Sequence, residues 1–236
     1  MYDKTRFLLY LQQKKSVAKH KLQLYSESTE FDTIIQPTLE EQLGKFPFQG
    51  TWNTEIFHNN NPIVLELGCG KAEYSLMLAQ QHPEKNFIGV DIKGDRILRG
   101  AREAKEKNIS NIRFLRMQIE QIHNAFSENE IKEIWITFPD PQPHKKRKRL
   151  TSEQFLNKYK KILIKEGFIN LKTDSTLFYE STLETIKEMN LQLLYSSSDI
   201  YNDGTTGDVV NAKTYYERKW LKEGLDIKYV KFKLHQ

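Results

Sequence analysis

The acid of the motif Glu66-Leu-Gly68-Cys-Gly70 stands two residues before a pair of glycines that follow a short apolar run. Glycines let the backbone turn sharply and let a ligand approach without a Cβ in the way. A segment with helical spacing comes next, so the motif predicts a strand, a tight turn and a helix. An acid at the end of such a strand favours a ligand that carries a positive charge or an amine.

A second acid, Asp91, ends the next apolar run, where a carboxylate accepts hydrogen bonds from the ribose hydroxyls of a nucleoside cofactor. A dinucleotide-binding loop needs a further glycine three residues after Gly70, to seat a pyrophosphate on the helix N-terminus. Glu73 stands there and would repel a pyrophosphate, which disfavours a dehydrogenase. Gln118 follows the third predicted strand and is placed to contact an adenine edge through its amide.

A third acid, Asp140, lies between two prolines in Phe138-Pro-Asp-Pro141, directly before the basic cluster His144-Lys-Lys-Arg-Lys-Arg149. The prolines fix φ and hold Asp140 in an extended conformation. Five of the six residues of the cluster are lysine or arginine, and such side chains supply most of the non-specific affinity for nucleic-acid phosphates. A solvated charge run would explain the cluster alone, but its position beside Asp140 favours an RNA or DNA substrate.

Strands and helices alternate along the part of the chain that carries these motifs. The predicted strands are residues 63–67, 86–91, 112–115, 131–138, 167–172, 191–195 and 229–234, and the predicted helices are residues 72–81, 97–107, 152–164 and 175–189. Such alternation predicts an α/β fold in which helices cover both faces of a mostly parallel sheet. Ligands of such sheets bind beyond the carboxyl ends of the strands, so the residues just after each strand are the candidates for a binding site.

The composition fits one α/β domain with an extension. The chain has 236 residues, a net charge of +5 and one cysteine, so an intramolecular disulfide is excluded. We predict that residues 1–60 form an N-terminal arm, which includes a basic stretch at residues 14–21, and that residues 61–236 form the catalytic domain. We expect a cytoplasmic protein without a signal peptide or membrane span, because no apolar stretch approaches the roughly 20 residues that a span requires.

From about Ile63 onward the chain resembles the tRNA (guanine-N7)-methyltransferase family. Five segments stand in that family's order and spacing: Glu66-Leu-Gly-Cys-Gly70, Phe138-Pro-Asp-Pro141, the basic cluster, Leu171-Lys-Thr-Asp174 and Thr214-Tyr-Tyr-Glu217. The resemblance implies a Rossmann-like class I methyltransferase fold with a seven-stranded, mostly parallel sheet. It also implies that S-adenosylmethionine donates a methyl group to N7 of a guanine in the variable loop of tRNA (position 46), forming 7-methylguanosine.

The resemblance also assigns roles to individual residues. It places Glu66, Gly68, Gly70, Asp91, Gln118 and Asp140 at the S-adenosylmethionine site, with Asp140 also catalytic. It assigns Lys145, Asp174, Thr214, Tyr215, Tyr216 and Glu217 to the tRNA and its target guanine, and Lys146, Arg147, Lys148 and Arg149 to the RNA backbone. Asp174 or Glu217 could accept hydrogen bonds from the guanine N1–H and N2 amine.

Three departures from the family pattern leave alternatives open. Gln142 stands where the family usually has tryptophan, and Gln118 stands where it usually has an acid. The basic cluster is about two residues shorter, so the role of Lys145 could belong to His144 or Lys146.

Methylation of guanine N7 needs no general base, because N7 carries a lone pair and no proton. The enzyme must align N7 with the donor methyl group, and a carboxylate such as Asp140 would stabilise the positive charge that develops on the purine. The alternatives are a methyltransferase for another RNA or DNA base and a non-catalytic RNA-binding module. We expect tRNA as the partner, no metal, no membrane and no obligate protein partner, with the chain a monomer or homodimer.

Overall fold

A computed structural model of the chain describes Leu24, residues 26–44 and residues 46–234. Its strands are β1 (Ile34–Ile35), β2 (Ile63–Leu67), β3 (Asn86–Asp91), β4 (Ile112–Arg116), β5 (Ile131–Thr137), β6 (Leu163–Thr173), β7 (Gln192–Ser197) and β8 (Lys228–Lys233). Its α-helices are α1 (Leu39–Leu43), α2 (Glu73–Gln81), α3 (Gly94–Glu106), α4 (Ile122–Ala125), α5 (Glu153–Ile162), α6 (Thr176–Glu188), α7 (Asp208–Asn211) and α8 (Tyr215–Lys222). A π-helical turn spans Trp52–Phe57, and short 3₁₀ turns span Ile119–Gln121 and Lys146–Lys148.

The strands form one sheet in the order β1-β4-β3-β2-β5-β6-β8-β7. Neighbouring strands from β1 to β6 run parallel, whereas β8 pairs antiparallel with both β6 and β7. The chain winds outward from β2 to β4 and then returns to the other side of β2, so the direction of winding reverses between β2 and β5. In such sheets the crevice at this reversal, beyond the carboxyl ends of the strands, is where ligands bind.

Two hydrophobic clusters cover the faces of the sheet, as the uninterrupted apolar run of β2 requires. One cluster contains Phe155 of α5 and Phe178 of α6, and the other contains Leu76 of α2 and Ile97 of α3. All five residues of β2 are buried, which is typical of a parallel strand with both faces covered. The predicted α/β architecture with helices on both faces is therefore confirmed.

Several element boundaries differ from the predictions. The helix predicted over residues 152–164 ends at Ile162, because Leu163 pairs with Ile131 and begins β6. The seven predicted strands are all present, and β1 adds an eighth within the described residues by pairing with β4. Sheet pairing decides both differences, and no local sequence pattern reports it.

Residues 46–61 pack against the body of the sheet. Trp52 is fully buried, stacks against Phe126 with ring centroids 5.1 Å apart, and donates its indole N–H to the carbonyl of Ala125 at 2.8 Å. Asn86 at the start of β3 donates its side-chain amide to Asn53 at 2.9 Å and Asn59 at 2.7 Å. These contacts hold the segment before β2 in place.

The predicted basic stretch at residues 14–21 lies outside the described residues. Along the portion that the structure describes, no helix is long and apolar enough to cross a membrane.

Candidate active site

The glycine loop between β2 and α2 turns through positive φ angles at Gly68 (76°) and Gly70 (57°). The N–H groups of Gly68 and Cys69 both donate to the carbonyl of Val90, at 2.8 and 3.1 Å, which ties the loop to the end of β3. A Cβ added to Gly70 would meet no atom within 4 Å. The loop therefore keeps open space beside its backbone. Burial raises the pKa of the Cys69 thiol well above its usual value, which fits a packing role rather than a nucleophilic one.

The carboxylate of Asp91 is fixed at the carboxyl end of β3. One oxygen accepts the N–H of Gly70 at 2.9 Å and the other accepts the N–H of Lys93 at 2.8 Å. A carboxylate can accept about four hydrogen bonds, so acceptor capacity remains at both oxygens. Asp91 thus lies at the end of a strand, as the sequence predicted, and a backbone N–H of the glycine loop holds its carboxylate.

Glu66 on β2 is hydrogen-bonded to both α2 and the end of β5. Its carboxylate accepts hydrogen bonds from the hydroxyl of Ser75 on α2 at 2.6 Å and from the hydroxyl of Thr137 on β5 at 2.5 Å. Burial raises the pKa of the Glu66 carboxyl, and these hydrogen bonds oppose the rise. A cationic ligand that entered beside Glu66 would favour the ionised carboxylate.

A cavity of about 130 Å³ opens between three of the sequence motifs. Its lining residues come from the glycine loop and α2, from α3, from the end of β5 and from the start of α8: Glu66, Gly68, Cys69, Gly70, Lys71, Glu73, Tyr74, Arg96, Thr137, Phe138, Thr214 and Tyr216. The structure thus brings together five predicted site residues from segments that lie far apart in the sequence. The wall also carries both signs of charge, with Glu66 and Glu73 facing a cavity that Lys71 and Arg96 also line.

The Phe-Pro-Asp-Pro loop begins where this cavity ends. Phe138 has a φ of 47° and donates its N–H to the carbonyl of Lys172 at 2.8 Å. Asp140 is exposed, and its two carboxylate oxygens accept the backbone N–H of Gln142 at 3.0 Å and the side-chain amide of Gln142 at 2.8 Å. Gln142, a departure from the family pattern, therefore orients the carboxylate of Asp140.

Arg149 is placed differently from its predicted role as an RNA contact. Its side chain is buried, and its guanidinium donates to the carbonyl of Pro141 at 3.0 Å and to that of Gln142 at 3.5 Å. The positive charge of Arg149, which was expected to face RNA, is therefore directed at backbone carbonyls of the preceding loop. The prediction for Arg149 is corrected: it anchors the loop that carries Asp140.

We expect Arg149→Met to lower kcat for tRNA methylation about tenfold, since a hydrogen bond from a charged group contributes about 1.5–3 kcal/mol. The slope of log KM for tRNA against log salt concentration should stay unchanged. The matched control is Arg147→Met, an exposed arginine two residues earlier, which should reduce that slope by about one. Equal loss of slope in both variants would show that Arg149 contacts phosphate.

The remaining basic side chains are exposed, but they are not equivalent. Lys146 lies 3.3 Å from Glu184 and 3.8 Å from Glu188 on α6, so two carboxylates partly neutralise it. Lys145, Arg147 and Lys148 have no side-chain partner among the residues that the structure describes. These three side chains are the best placed of the cluster to meet phosphates.

The Thr214–Glu217 segment divides into structural and exposed residues. Thr214 caps α8 by accepting the N–H of Glu217 at 3.2 Å, and the Glu217 carboxylate accepts the N–H of Thr214 at 3.3 Å, which is a capping box. The side chain of Glu217 is completely buried and lies 2.6 Å from the ammonium of Lys172. The hydroxyl of Tyr201 also donates to Glu217, at 2.7 Å.

These contacts correct the prediction that Glu217 binds guanine, because its oxygens are already occupied inside the protein. Tyr215 and Tyr216 remain 57% and 56% exposed, so they are the members of the segment that can touch a substrate. The N–H of Tyr215 donates to Glu73 at 2.6 Å, which joins the start of α8 to the start of α2 beside the cavity.

Asp91 and Asp140 do not line the cavity, and neither do Gln118, Asp174 and Lys145. Gln118 is exposed after β4, and its backbone N–H donates to the side chain of Gln42 at 3.4 Å. Asp174 is half-buried after β6, and its backbone carbonyl accepts a hydrogen bond from Lys228 at 3.3 Å. Lys145 is exposed at the start of the 3₁₀ turn. The carboxylate of Asp174 and the amide of Gln118 face no partner within the described chain.

Lys172 and Arg96 were missed by the sequence analysis. Lys172 is the buried partner of Glu217, and its ammonium lies 5.2 Å from the centre of the Tyr74 ring. Burial lowers the pKa of Lys172 to about 8, which the carboxylate of Glu217 opposes. A lysine at a strand end gives no local signal of such a partner. The local sequence around Arg96 likewise does not indicate that its side chain reaches the cavity.

A larger and more open cavity, of about 620 Å³, lies among β5 to β8. Glu133, Asn170 and Tyr229 contribute to its wall, and no residue of the predicted site lines it. Size alone would favour this cavity as the active site, but three sequence motifs meet at the smaller cavity, which we therefore take as the candidate.

Comparison with known proteins shows which family the sequence matches. Residues 60–230 match the family described as "Putative methyltransferase". A tRNA (guanine-N(7)-)-methyltransferase of Christiangramia forsetii is 45% identical over 92% of this chain and 99% of its own length. One of Porphyromonas gingivalis is 47% identical over 83% of this chain and 81% of its own.

Solved structures extend the likeness to the fold. The crystal structure of a 30S ribosomal A1408 methyltransferase from an uncultured bacterium has a TM-score of 0.55 at 18% identity, covering 76% of this chain and 91% of that one. The 16S rRNA methyltransferase KamB has a TM-score of 0.57 at 13% identity, covering 75% and 89%. The predicted Rossmann-like class I methyltransferase fold is confirmed.

Proposed function

This chain belongs to the tRNA (guanine-N7-)-methyltransferase family, and on that premise we propose that the 130 Å³ cavity and the Asp140 loop form its active site. It transfers the methyl group of S-adenosylmethionine to N7 of a guanine in tRNA. The observation that carries the assignment is the meeting of the glycine loop, Phe138 and Tyr216 around one cavity. Residues that bind the donor, carry the catalytic loop and face the acceptor are then within one site.

The side chains around the cavity fit the methionine end of the donor. That end carries an ammonium, a carboxylate and a sulfonium, and when bound it supplies a methyl group on a positively charged sulfur. The acids Glu66 and Glu73 suit the positive groups, and Arg96 suits the carboxylate. The cavity is smaller than the roughly 300 Å³ of common ligand pockets, so we propose that it takes this end alone.

The adenosine end then falls to the residues that line the open surface beside the cavity. Asp91 keeps acceptor capacity for ribose hydroxyls, and Gln118 offers an exposed amide for the adenine edge. An amide can both donate and accept hydrogen bonds. Gln118 can therefore serve at a position where the family usually has an acid.

Asp140 stabilises the purine as it becomes positively charged. Its carboxylate is held by Gln142 before any substrate arrives, so no reorganisation is needed as charge develops. Because N7 carries no proton, no residue has to remove one. Tyr216 at the cavity wall and Asp174 beyond β6 complete the surroundings of the guanine in this proposal.

The RNA backbone is assigned to Lys145, Arg147 and Lys148, with the partly neutralised Lys146 beside them. We propose that the target guanine lies in the variable loop, where a base can leave its stack at low cost. With tRNA as its substrate, we propose that the protein acts in the cytoplasm. We also propose that it is a monomer or homodimer without an obligate protein partner. We propose that residues 1–60 form an N-terminal arm and that residues 61–236 form the catalytic domain.

Replacing the target guanine with 7-deazaguanine in a tRNA transcript should abolish methyl transfer, because the N7 lone pair is absent. The affinity of the enzyme for the modified tRNA should change little, since the other polar edges of the base remain. A transcript with 7-deazaguanine at a guanine outside the variable loop is the control and should be methylated normally. Continued transfer to the first transcript would exclude N7 of that guanine as the acceptor.

Calorimetry separates the enzyme from a non-catalytic RNA-binding module. We expect S-adenosylmethionine to release heat on binding, whereas a module without a donor site would show none at millimolar ligand.

A further inference from the structure

Aromatic rings continue from the cavity wall along the surface of α8. Tyr216 lines the cavity, and its ring stacks on that of Trp220 with centroids 6.5 Å apart and planes 24° apart. The ring of Tyr215 meets Tyr216 edge to face at 5.6 Å. Tyr216 and Trp220 are four residues apart on one helix, so they share a face. We call Tyr216 and Trp220 the aromatic track.

The aromatic track is partly accessible. Tyr216 is 56% exposed, whereas Trp220 is half-buried and packs in part against the hydrophobic cluster that contains Leu76 and Ile97. Large aromatic side chains at such positions mark surfaces that bind something, since water is a poor neighbour for their faces.

Lys219 places a positive charge directly on the aromatic track. Its ammonium lies 4.6 Å from the centre of the Trp220 ring, whereas Arg218 and Lys222 lie on other faces of the same helix. The carboxylate of Glu223 lies 3.9 Å from the ammonium of Lys219. Aromatic faces beside lysine and arginine are the features with which proteins bind single-stranded nucleic acid, the rings stacking on bases and the cations meeting phosphates.

We infer that the aromatic track binds an unpaired nucleotide that neighbours the target guanine, with its base stacked on Trp220. The inference rests on the proposed function, which places the target guanine at Tyr216. A guanine that leaves its stack to reach the cavity frees one face of the adjacent base. Trp220 lies next along the helix and offers that base a replacement surface. The track would thereby favour tRNAs whose variable loop can unstack at two positions in succession.

The test compares Trp220→Leu with Trp220→Phe in steady-state methylation of tRNA. Replacing an aromatic residue that stacks on a base with a non-aromatic one lowers the affinity for nucleic acid about tenfold. We expect Trp220→Leu to raise KM for tRNA about tenfold, with kcat and the affinity for S-adenosylmethionine nearly unchanged. Trp220→Phe keeps an aromatic face and should stay within about threefold of the unaltered protein.

A second measurement observes the stack directly. A tRNA with 2-aminopurine beside the target guanine should lose fluorescence on binding to the unaltered protein and to Trp220→Phe, but not to Trp220→Leu. An unchanged KM in Trp220→Leu would overturn the inference, as would equal damage by the leucine and phenylalanine variants. A change of oligomeric state in Trp220→Leu without a change in KM would instead assign the track to a protein contact. Failure of the unaltered protein to methylate any tRNA would reject the proposed function itself.

Discussion

Asp140→Asn is expected to lower kcat for tRNA methylation by about 100-fold or more at saturating donor and tRNA. The change removes the negative charge but keeps an oxygen that can accept the N–H of Gln142. Loss of one preorganised electrostatic group in an active site typically lowers kcat by about 10²–10³. The loss should therefore fall on kcat rather than on KM for tRNA, because the purine carries its new charge only as the methyl group is transferred.

Asp226→Asn is the matched control for this experiment. Asp226 is exposed and lies outside the cavity and the loop after β5, so removal of its charge should leave kcat unchanged. A second comparison uses Gln142→Ala, which removes the 2.8 Å hydrogen bond from the side-chain amide to Asp140. A hydrogen bond to a charged group contributes about 1.5 kcal/mol or more, so kcat should fall about tenfold. Normal turnover by Asp140→Asn would reject the catalytic assignment of Asp140.

Lys172→Met is expected to lower the free energy of unfolding by about 3–5 kcal/mol, the usual cost of removing one partner of a buried ion pair. The side chains of Lys172 and Glu217 are both fully buried and 2.6 Å apart. The variant would leave the carboxylate of Glu217 without its counter-charge. Because Glu217 also caps α8, the start of that helix at the cavity should loosen and methylation should fall as well.

Urea unfolding of three further variants gives this prediction its controls. Lys172→Met combined with Glu217→Met removes both charges and should recover most of the lost stability, because a buried pair replaced by apolar side chains is often neutral. Lys233→Met removes the half-buried partner of the exposed Glu166 and should cost about 1 kcal/mol or less. Glu217→Gln should destabilise the protein with Lys172 intact. If Lys172→Met were as mild as Lys233→Met, the ion pair of Lys172 and Glu217 would not contribute to stability as predicted.

The sequence predicted the parts of the site that follow from local chemistry. The glycine loop, the acid at the end of β3 and the strand before Phe138 each have a pattern within a few residues, and the structure contains all three. The glycine loop and Phe138 line one cavity, as expected for residues that follow neighbouring strands of a parallel sheet, whereas the acid at the end of β3 is not part of its wall.

Contacts between distant segments were beyond the reach of the sequence. The Thr-x-x-Glu pattern of residues 214–217 is itself a capping signal, and it could have shown that Thr214 and Glu217 serve the helix. The pairing of Glu217 with Lys172 depends on the sheet bringing β6 beside α8, so no local pattern reports it. Arg149 was misassigned for a similar reason. A basic run in a sequence indicates solvent-exposed side chains, and nothing in it distinguishes Arg149, which donates to the carbonyl of Pro141.

Incubation of the protein with labelled S-adenosylmethionine and unmodified tRNA, followed by digestion and nucleoside analysis, tests the central claim most directly. We predict that the label is recovered in 7-methylguanosine, and that Asp140→Asn forms the same nucleoside at least about 100 times more slowly. Label in any other nucleoside, or no transfer by a protein that binds both the donor and tRNA, would contradict the account.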